Sequence, residues 1–272
     1  MERPAWAPQG IDLDVPSVSR MYDFYLGGSH NFEVDRETAR RAVEAWPGLP
    51  KAVQANRAFL RRAVRYAVSR GVTRFLDIGS GIPTFGNVHE IAGRTAPRAQ
   101  VVYVDNDPVA VAHSRAVLER NRDAAVVSAD FRAPQDIVES PEVEQLLEPG
   151  EPVALLLVGL LHFIEDRDEP HKKLAELAAP LPPGSLLVLS HGFPEGGPRR
   201  DGSALREVYR AAGFPLVART REAVAGFLDG FEPVEPGLVP VPEWHPDTPP
   251  EEEDAVAFCS LAGVGHKVGR AG

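Results

Sequence analysis

Asp77-Ile78-Gly79-Ser80-Gly81 places a carboxylate just before a Gly-x-Gly turn, at the end of an apolar run that begins at Arg74. Gly79 and Gly81 let the backbone turn sharply and approach a ligand closely. A second apolar run, Val101 to Val104, ends in Asp105-Asn106-Asp107, and Asp105 follows Gly81 by 24 residues, room for one crossover helix and the next strand. A third run, Ala125 to Ser128, leads into Asp130-Phe131. Together these pieces suit a nucleotide-type cofactor. The glycine turn brings backbone to the ligand, and Asp105 can accept hydrogen bonds from two ribose hydroxyls. Asn106 and Asp107 could flank an adenine or cap the next helix. Asp130 can accept an exocyclic amine, and Phe131 can cover a ring.

The turn also selects among nucleotides. A dinucleotide fingerprint needs a third glycine three residues after the second, so that a pyrophosphate can sit on a helix N-terminus; Thr84 stands there, with Pro83 inside the turn. Asp77 would repel a pyrophosphate but can hold an ammonium group, and its other reading is a helix cap. A nucleoside with a cationic amino-acid tail fits, and S-adenosylmethionine is such a molecule, with S-adenosylhomocysteine as its product.

Around these residues the pattern predicts alternating strands and helices. Strands are expected over 74–78, 101–104, 125–128, 152–160 and 185–189. Helices are expected over 87–95, 108–121, 134–147 and 169–179, with two more over 203–212 and 221–229. Such βαβα alternation argues for an α/β fold with a parallel, doubly wound sheet. The near-continuous apolar run at 152–160 suits a strand covered on both faces. The Pro-interrupted stretch 231–241 reads as an edge strand, and 255–267 contains a last strand. Upstream, helices are predicted over 18–25, capped by Ser17 and stopped by Gly27-Gly28, over 38–46, and over 54–70.

The formal net charge of −10 over 272 residues argues against a generic nucleic-acid or membrane-surface binder. Arg57, Arg61, Arg62 and Arg65 read as a solvated helix face. A single cysteine, Cys259, allows neither an internal disulfide nor a multi-cysteine zinc site, which fits a reducing cytoplasm. The histidines lack partners at metal-ligand spacing, so no metal site is expected. Residues 1–10 hold no apolar signal-peptide region, and the longest apolar run is too short to span a bilayer.

These residues resemble class I S-adenosylmethionine-dependent methyltransferases. Asp77–Gly81 is similar to their first motif, Asp105 to their ribose-binding acid, Asp130-Phe131 to their adenine motif, and Val153–His162 to the segment around the end of strand four. More narrowly, the stretch from Ser19 to Phe32, together with Gly81-Ile82-Pro83-Thr84, Asn87-Val88-His89-Glu90, Val102-Tyr103-Val104-Asp105-Asn106-Asp107-Pro108 and Gly237-Leu238-Val239-Pro240-Val241, resembles a family abundant in actinobacteria and long catalogued as a domain of unknown function. The resemblance covers nearly the whole chain. It implies a Rossmann-like, seven-stranded sheet with its last strand antiparallel, and an N-terminal helical cap over residues 1–70 on a core of 71–272. It also implies Leu160 at the cofactor, and a lid built from Tyr22, Tyr25, Gly27, Gly28, His30 and Asn31, with Tyr25 or Arg20 on the methionine carboxylate. His162 is either a general base or a histidine that shapes the pocket. The expected activity is methyl transfer to a small-molecule acceptor. A non-catalytic S-adenosylmethionine-binding regulator and an NAD(P)-dependent oxidoreductase are the alternatives.

Overall fold

A computed structural model describes residues 7, 9, 11–83, 86–192, 202–249 and 260–269. Thr84, Cys259 and the 255–259 part of the last predicted strand lie outside the described residues. Five parallel strands form the body of the sheet: β1 (Arg74–Ile78), β2 (Gln100–Asp105), β3 (Ala124–Ser128), β4 (Val153–Val158) and β5 (Leu186–Gly192). β8 (Ser260–His266) runs antiparallel to β5, and two short strands, β6 (Glu232–Pro233) and β7 (Val239–Pro240), both pair antiparallel with β8. The order is β3-β2-β1-β4-β5-β8-β6, with β7 also on β8. The stretch predicted as one edge strand is thus two short ones, because prolines remove donors on either side of a turn at Gly237.

Helices cover both faces. Period-two alternation sends Leu76, Ile78, Val104 and Leu155 to one face. There they meet α6 (Pro134–Val138), α7 (Pro141–Leu147), α8 (Pro170–Ala178) and α10 (Arg221–Ala225). Phe75, Tyr103, Leu156 and Val188 face the other way, against α3 (Leu49–Ser69) and α4 (Val88–Gly93). The single helix predicted over 134–147 is two, since Pro141 cannot donate into a continuing helix. α5 (Pro108–Leu118) is capped by Asp107, which accepts from the Val109 and Ala110 amides.

α1 (Val18–Tyr25) starts at Ser17 as predicted. α2 (Glu33–Ala45) begins five residues earlier than predicted, because the Asp35 carboxylate accepts from the Phe32 amide at 2.7 Å and fixes the helix start. α9 (Gly202–Ala211) packs beside them, so that Met21, Tyr25, Trp46, Leu205 and Tyr209 form a small core of their own. α3 belongs to both cores: Leu49, Ala52 and Val53 face the small one, while Phe59, Ala63 and Ala67 rest on the sheet. No helix among the described residues is long and apolar enough to cross a membrane.

Candidate active site

A cavity of about 470 Å³ opens at the carboxyl ends of β1–β4, a typical size for a small-molecule site. Asp77, Gly79, Ser80, Gly81, Asp105, Asn106, Asp130, Phe131 and Leu160 all line it, brought to one edge by the parallel strands as the sequence predicts.

The glycine turn is stitched to the next strand. The Gly79 and Ser80 amides donate to the Val104 carbonyl at 2.8 and 3.1 Å, and the Gly81 amide donates to the Asp105 carboxylate at 2.7 Å. Gly79 and Gly81 have φ of +69° and +68°, where a side chain is strained. A Cβ on Gly79 would also lie 2.9 Å from Leu160 Cδ1, so Gly79 and Leu160 wall the same spot. The other Asp105 oxygen accepts from the Asp107 amide at 2.8 Å. The carboxylate keeps acceptor capacity for a ligand beyond these backbone donors. Burial raises the Asp105 pKa to about 6, and the backbone donors from Asp107, Gly81 and Asn106 oppose that rise.

Asp77 is buried, and none of the described side chains or amides hydrogen-bonds its carboxyl group. Alternation in β1 puts it on the face of Phe75, towards α3, where Arg57 also lines the cavity. Burial pushes Asp77 up to about 7; the nearby Arg57 guanidinium opposes this and Asp105 adds to it. Asp77 is therefore not a helix cap but a desolvated carboxyl facing a cavity, suited to a cationic ligand group.

Asp130 is the contrasting acid. Its carboxylate accepts from the Arg132 amide (2.8 Å), Arg132 Nε (3.0 Å), Arg132 Nη2 (2.6 Å) and Asn106 Nδ2 (2.8 Å). Burial works against its ionisation, but these donors prevail and hold its pKa down to about 2.

Three residues expected at the site stand elsewhere. Tyr25 is buried in the small core, its hydroxyl 3.2 Å from that of Tyr209. Gly28 lies outside the cavity lining, in a loop wrapped around Asp23, whose carboxylate accepts from the His30 amide and Asn31 Nδ2. His162 is buried behind the lining. Its Nδ1 accepts from the Gly192 amide at 3.1 Å, and burial, with His191 and Arg219 nearby, keeps its pKa well below the ordinary value. Arg20 is held by Asp35 at 2.9 Å and the Val15 carbonyl, with Asp107 at 3.6 Å. Of the expected lid residues only Tyr22 lines the cavity.

Residues behind the lining had no signal in the sequence. Asn56 Nδ2 donates to the Tyr22 hydroxyl at 3.1 Å, and Asn56 Oδ1 accepts from Ser190 at 2.6 Å, a relay from α1 through α3 to β5. The arginine row on α3 is a solvated face only in part: Arg65 is exposed, but Arg57 and Arg62 turn inward. Arg62 is buried and donates to the Trp244 and Val241 carbonyls at 2.8 Å, and Arg57 donates to Asn87 at 3.1 Å. Only the register of α3 against the sheet, a tertiary fact, could have revealed either.

The sequence profile of a family described as S-adenosyl methyltransferase matches residues 4–268. The chain belongs to this family. A crystal structure from Thermobifida fusca YX, of a protein with a provisional methyltransferase designation, superposes with a TM-score of 0.91 at 36% identity, covering 98% of this chain and 100% of that one. A DUF574 family protein from Streptomyces avermitilis MA-4680 gives 0.86 at 34% identity over 94% and 100%. A Burkholderia thailandensis 1,6-didemethyltoxoflavin-N1-methyltransferase, solved with S-adenosylhomocysteine, gives 0.50 at 18% identity over 80% and 81%, a likeness of fold. No curated protein matches the chain. The S-adenosyl methyltransferase thus has the class I Rossmann-like fold, and its cofactor is S-adenosylmethionine. The oxidoreductase and purely regulatory readings give way. The residues fit the cofactor: a buried acid at the turn with no hydrogen-bond partner among the described residues, a Gly79 backbone with no room for a Cβ beside Leu160, and an acid on β2 with acceptor capacity to spare.

Proposed function

We propose that this enzyme methylates a small molecule held between the strand ends and an N-terminal cap formed by residues 1–70 on a core of 71–272, in the cytoplasm. When bound, S-adenosylmethionine supplies a methyl group on a sulfonium. Asp77 would take the ammonium of its amino-acid tail and Arg57, beside it, the carboxylate, a role expected from the sequence of Tyr25 or Arg20. Asp105 would accept from the ribose hydroxyls, while Asn106, Asp130 and Phe131 frame the adenine. The observation that carries this reading is the buried Asp77 carboxyl, which has no hydrogen-bond partner among the described residues and stands at the turn next to Arg57 and Asp105.

His162 holds Gly192 in place and is kept neutral, so it contributes shape rather than proton transfer. Positioning and exclusion of water then supply the rate, and the acceptor brings its own nucleophile. The net charge of −10 disfavours nucleic acid as that acceptor. Titration calorimetry tests the reading. S-adenosylhomocysteine should bind and NAD should not. Asp77→Ala and Arg57→Met should each weaken S-adenosylhomocysteine by about tenfold or more, as expected when a charge-assisted hydrogen bond is lost. Unchanged affinity in both variants would overturn the placement of the amino-acid tail.

A further inference from the structure

The cavity's lining divides sharply by element. Its charged side chains come from the strand ends, from α3 and from the start of α5: Asp77, Asp105, Asp107, Asp130, Arg57 and Arg132. Three other segments contribute no charge among the described residues that line the cavity. From α1 and its lead-in come Val18 and Tyr22, with the uncharged Ser17 and Ser19 beside them, from the turn after β4 Phe163 and Ile164, and from the loop after α9 Phe214 and Pro215. A wall of this kind beside a polar one is what a second, apolar ligand requires.

The wall is rigid. The Phe163 ring is bracketed by His162 and Tyr209, with ring centroids 4.2 and 5.8 Å away. The Phe214 amide donates to the Tyr209 carbonyl at 2.9 Å, and the Val217 amide donates to the His162 carbonyl at 2.8 Å. The first bond closes the end of α9, and the second, with the Phe163–Tyr209 ring contact, ties the segments bearing the two phenylalanines together. Tyr22 is fixed from a third direction, its hydroxyl donating to the Val53 carbonyl at 3.3 Å and accepting from Asn56. Aromatic side chains on three anchored segments offer flat faces at set positions, and aromatic rings prefer aromatic partners in stacked or edge-on arrangements. An ionic acceptor would lose its hydration there without a counter-charge.

We propose that the methyl acceptor is an uncharged, flat aromatic or heteroaromatic small molecule, received against Phe163, Phe214 and Tyr22. This rests on the reading above, in which the strand ends hold the cofactor and leave this wall to the acceptor. Specificity then comes from shape and stacking rather than from ion pairing.

The test uses the full chain saturated with S-adenosylhomocysteine, whose own titration is recorded first. Indole and 6-hydroxyquinoline are titrated by saturation-transfer and chemical-shift NMR against cyclohexanol, spermidine and phenyl phosphate. The two uncharged aromatics should bind about tenfold tighter than the other three. Phe214→Leu and Phe163→Leu keep apolar volume but remove the flat face. Each should weaken aromatic binding by about threefold to tenfold and leave the S-adenosylhomocysteine titration unchanged. The proposal is overturned by equal binding of cyclohexanol, by a preference for spermidine or phenyl phosphate, by no aromatic binding to the loaded protein, or by indifference to both substitutions. If S-adenosylhomocysteine itself fails to bind, the cofactor placement falls. If it binds and the aromatics do not, only the acceptor class falls.

Discussion

Replacing Asp77 by Asn should make the ligand-free enzyme more stable at pH 8 while impairing its use of the cofactor. Burial raises the Asp77 pKa from 3.8 to about 7, with Arg57 opposing and Asp105 reinforcing. Between those values the unfolded chain has released its proton and the folded chain has not, so stability falls as pH rises and the full cost is present above about pH 7. At 1.36 kcal/mol per tenfold change in proton affinity, that cost reaches roughly 4 kcal/mol as an upper figure. An asparagine avoids the buried charge but leaves an amide short of partners, which costs about 1–3 kcal/mol. The net gain at pH 8 is then about 1–3 kcal/mol, or roughly 2–10 °C in Tm for a chain of this size. At pH 5, where wild-type Asp77 is already protonated, the gain should vanish or reverse. Thermal melts of both proteins at pH 5 and pH 8 without ligand, followed by calorimetry with S-adenosylhomocysteine at pH 8, read all of this. A variant that is equally destabilised at both pH values, or that binds the ligand as wild type does, refutes the assignment of Asp77 as a charge held in reserve for an ammonium group.

Asp105→Ala should weaken S-adenosylhomocysteine by at least about tenfold in calorimetry, because it removes ribose acceptors and also frees the Gly81 amide that shapes the turn. Arg132→Ala should speed S-adenosylhomocysteine association by about twofold to tenfold in stopped-flow measurements, since all four acceptor directions of Asp130 are taken before an adenine amine arrives. Gly28→Ala should destabilise the fold by about 1–3 kcal/mol in denaturant titrations, because its Cβ would lie 1.9 Å from a buried Asp23 oxygen. His162 has the pH signature opposite to Asp77. Its folded pKa is depressed by burial, so its contribution is intact above about pH 6.5 and is lost as pH falls below that value. His162→Gln, which can still accept from the Gly192 amide, should flatten the acid side of the stability profile in melts from pH 4 to 7.

What could be read in the sequence was what local chemistry determines. Strand runs, their polar ends and the 24-residue interval from Gly81 to Asp105 placed the residues of the turn and of β2 and β3 on one edge before any contact was known. Charged residues whose partners are distant in the chain were misread. Arg20 looks available for a carboxylate, yet its partners Asp35 and Asp107 come from α2 and from the start of α5. Arg57 looks like one of four surface arginines, yet the rotation of α3 that buries Phe59 and Ala63 turns it to the cavity. Tyr22 and Tyr25 stand three residues apart on α1, and spacing alone cannot say which of them faces the ligand. Tyr209, 184 residues after Tyr25, decides it by taking the Tyr25 hydroxyl.

The same contacts bear on why the cap belongs to the chemistry. Arg20, on α1, reaches Asp107, whose amide is bonded to Asp105, whose other oxygen holds the Gly81 amide. On the far side, Tyr22 connects through Asn56 to Ser190 at the end of β5, and Asn56 Nδ2 lies 3.0 Å from where a Gly159 Cβ would stand. α1 is thus bound through Arg20 to the loop that carries Asp105 and through Tyr22 to α3 and β5. A cap that merely covered the cavity would need apolar contact only. These two largely buried polar chains fix the position of α1 relative to both halves of the cavity. In-line transfer between two bound molecules demands that kind of fixed geometry, because small misplacements cost rate steeply.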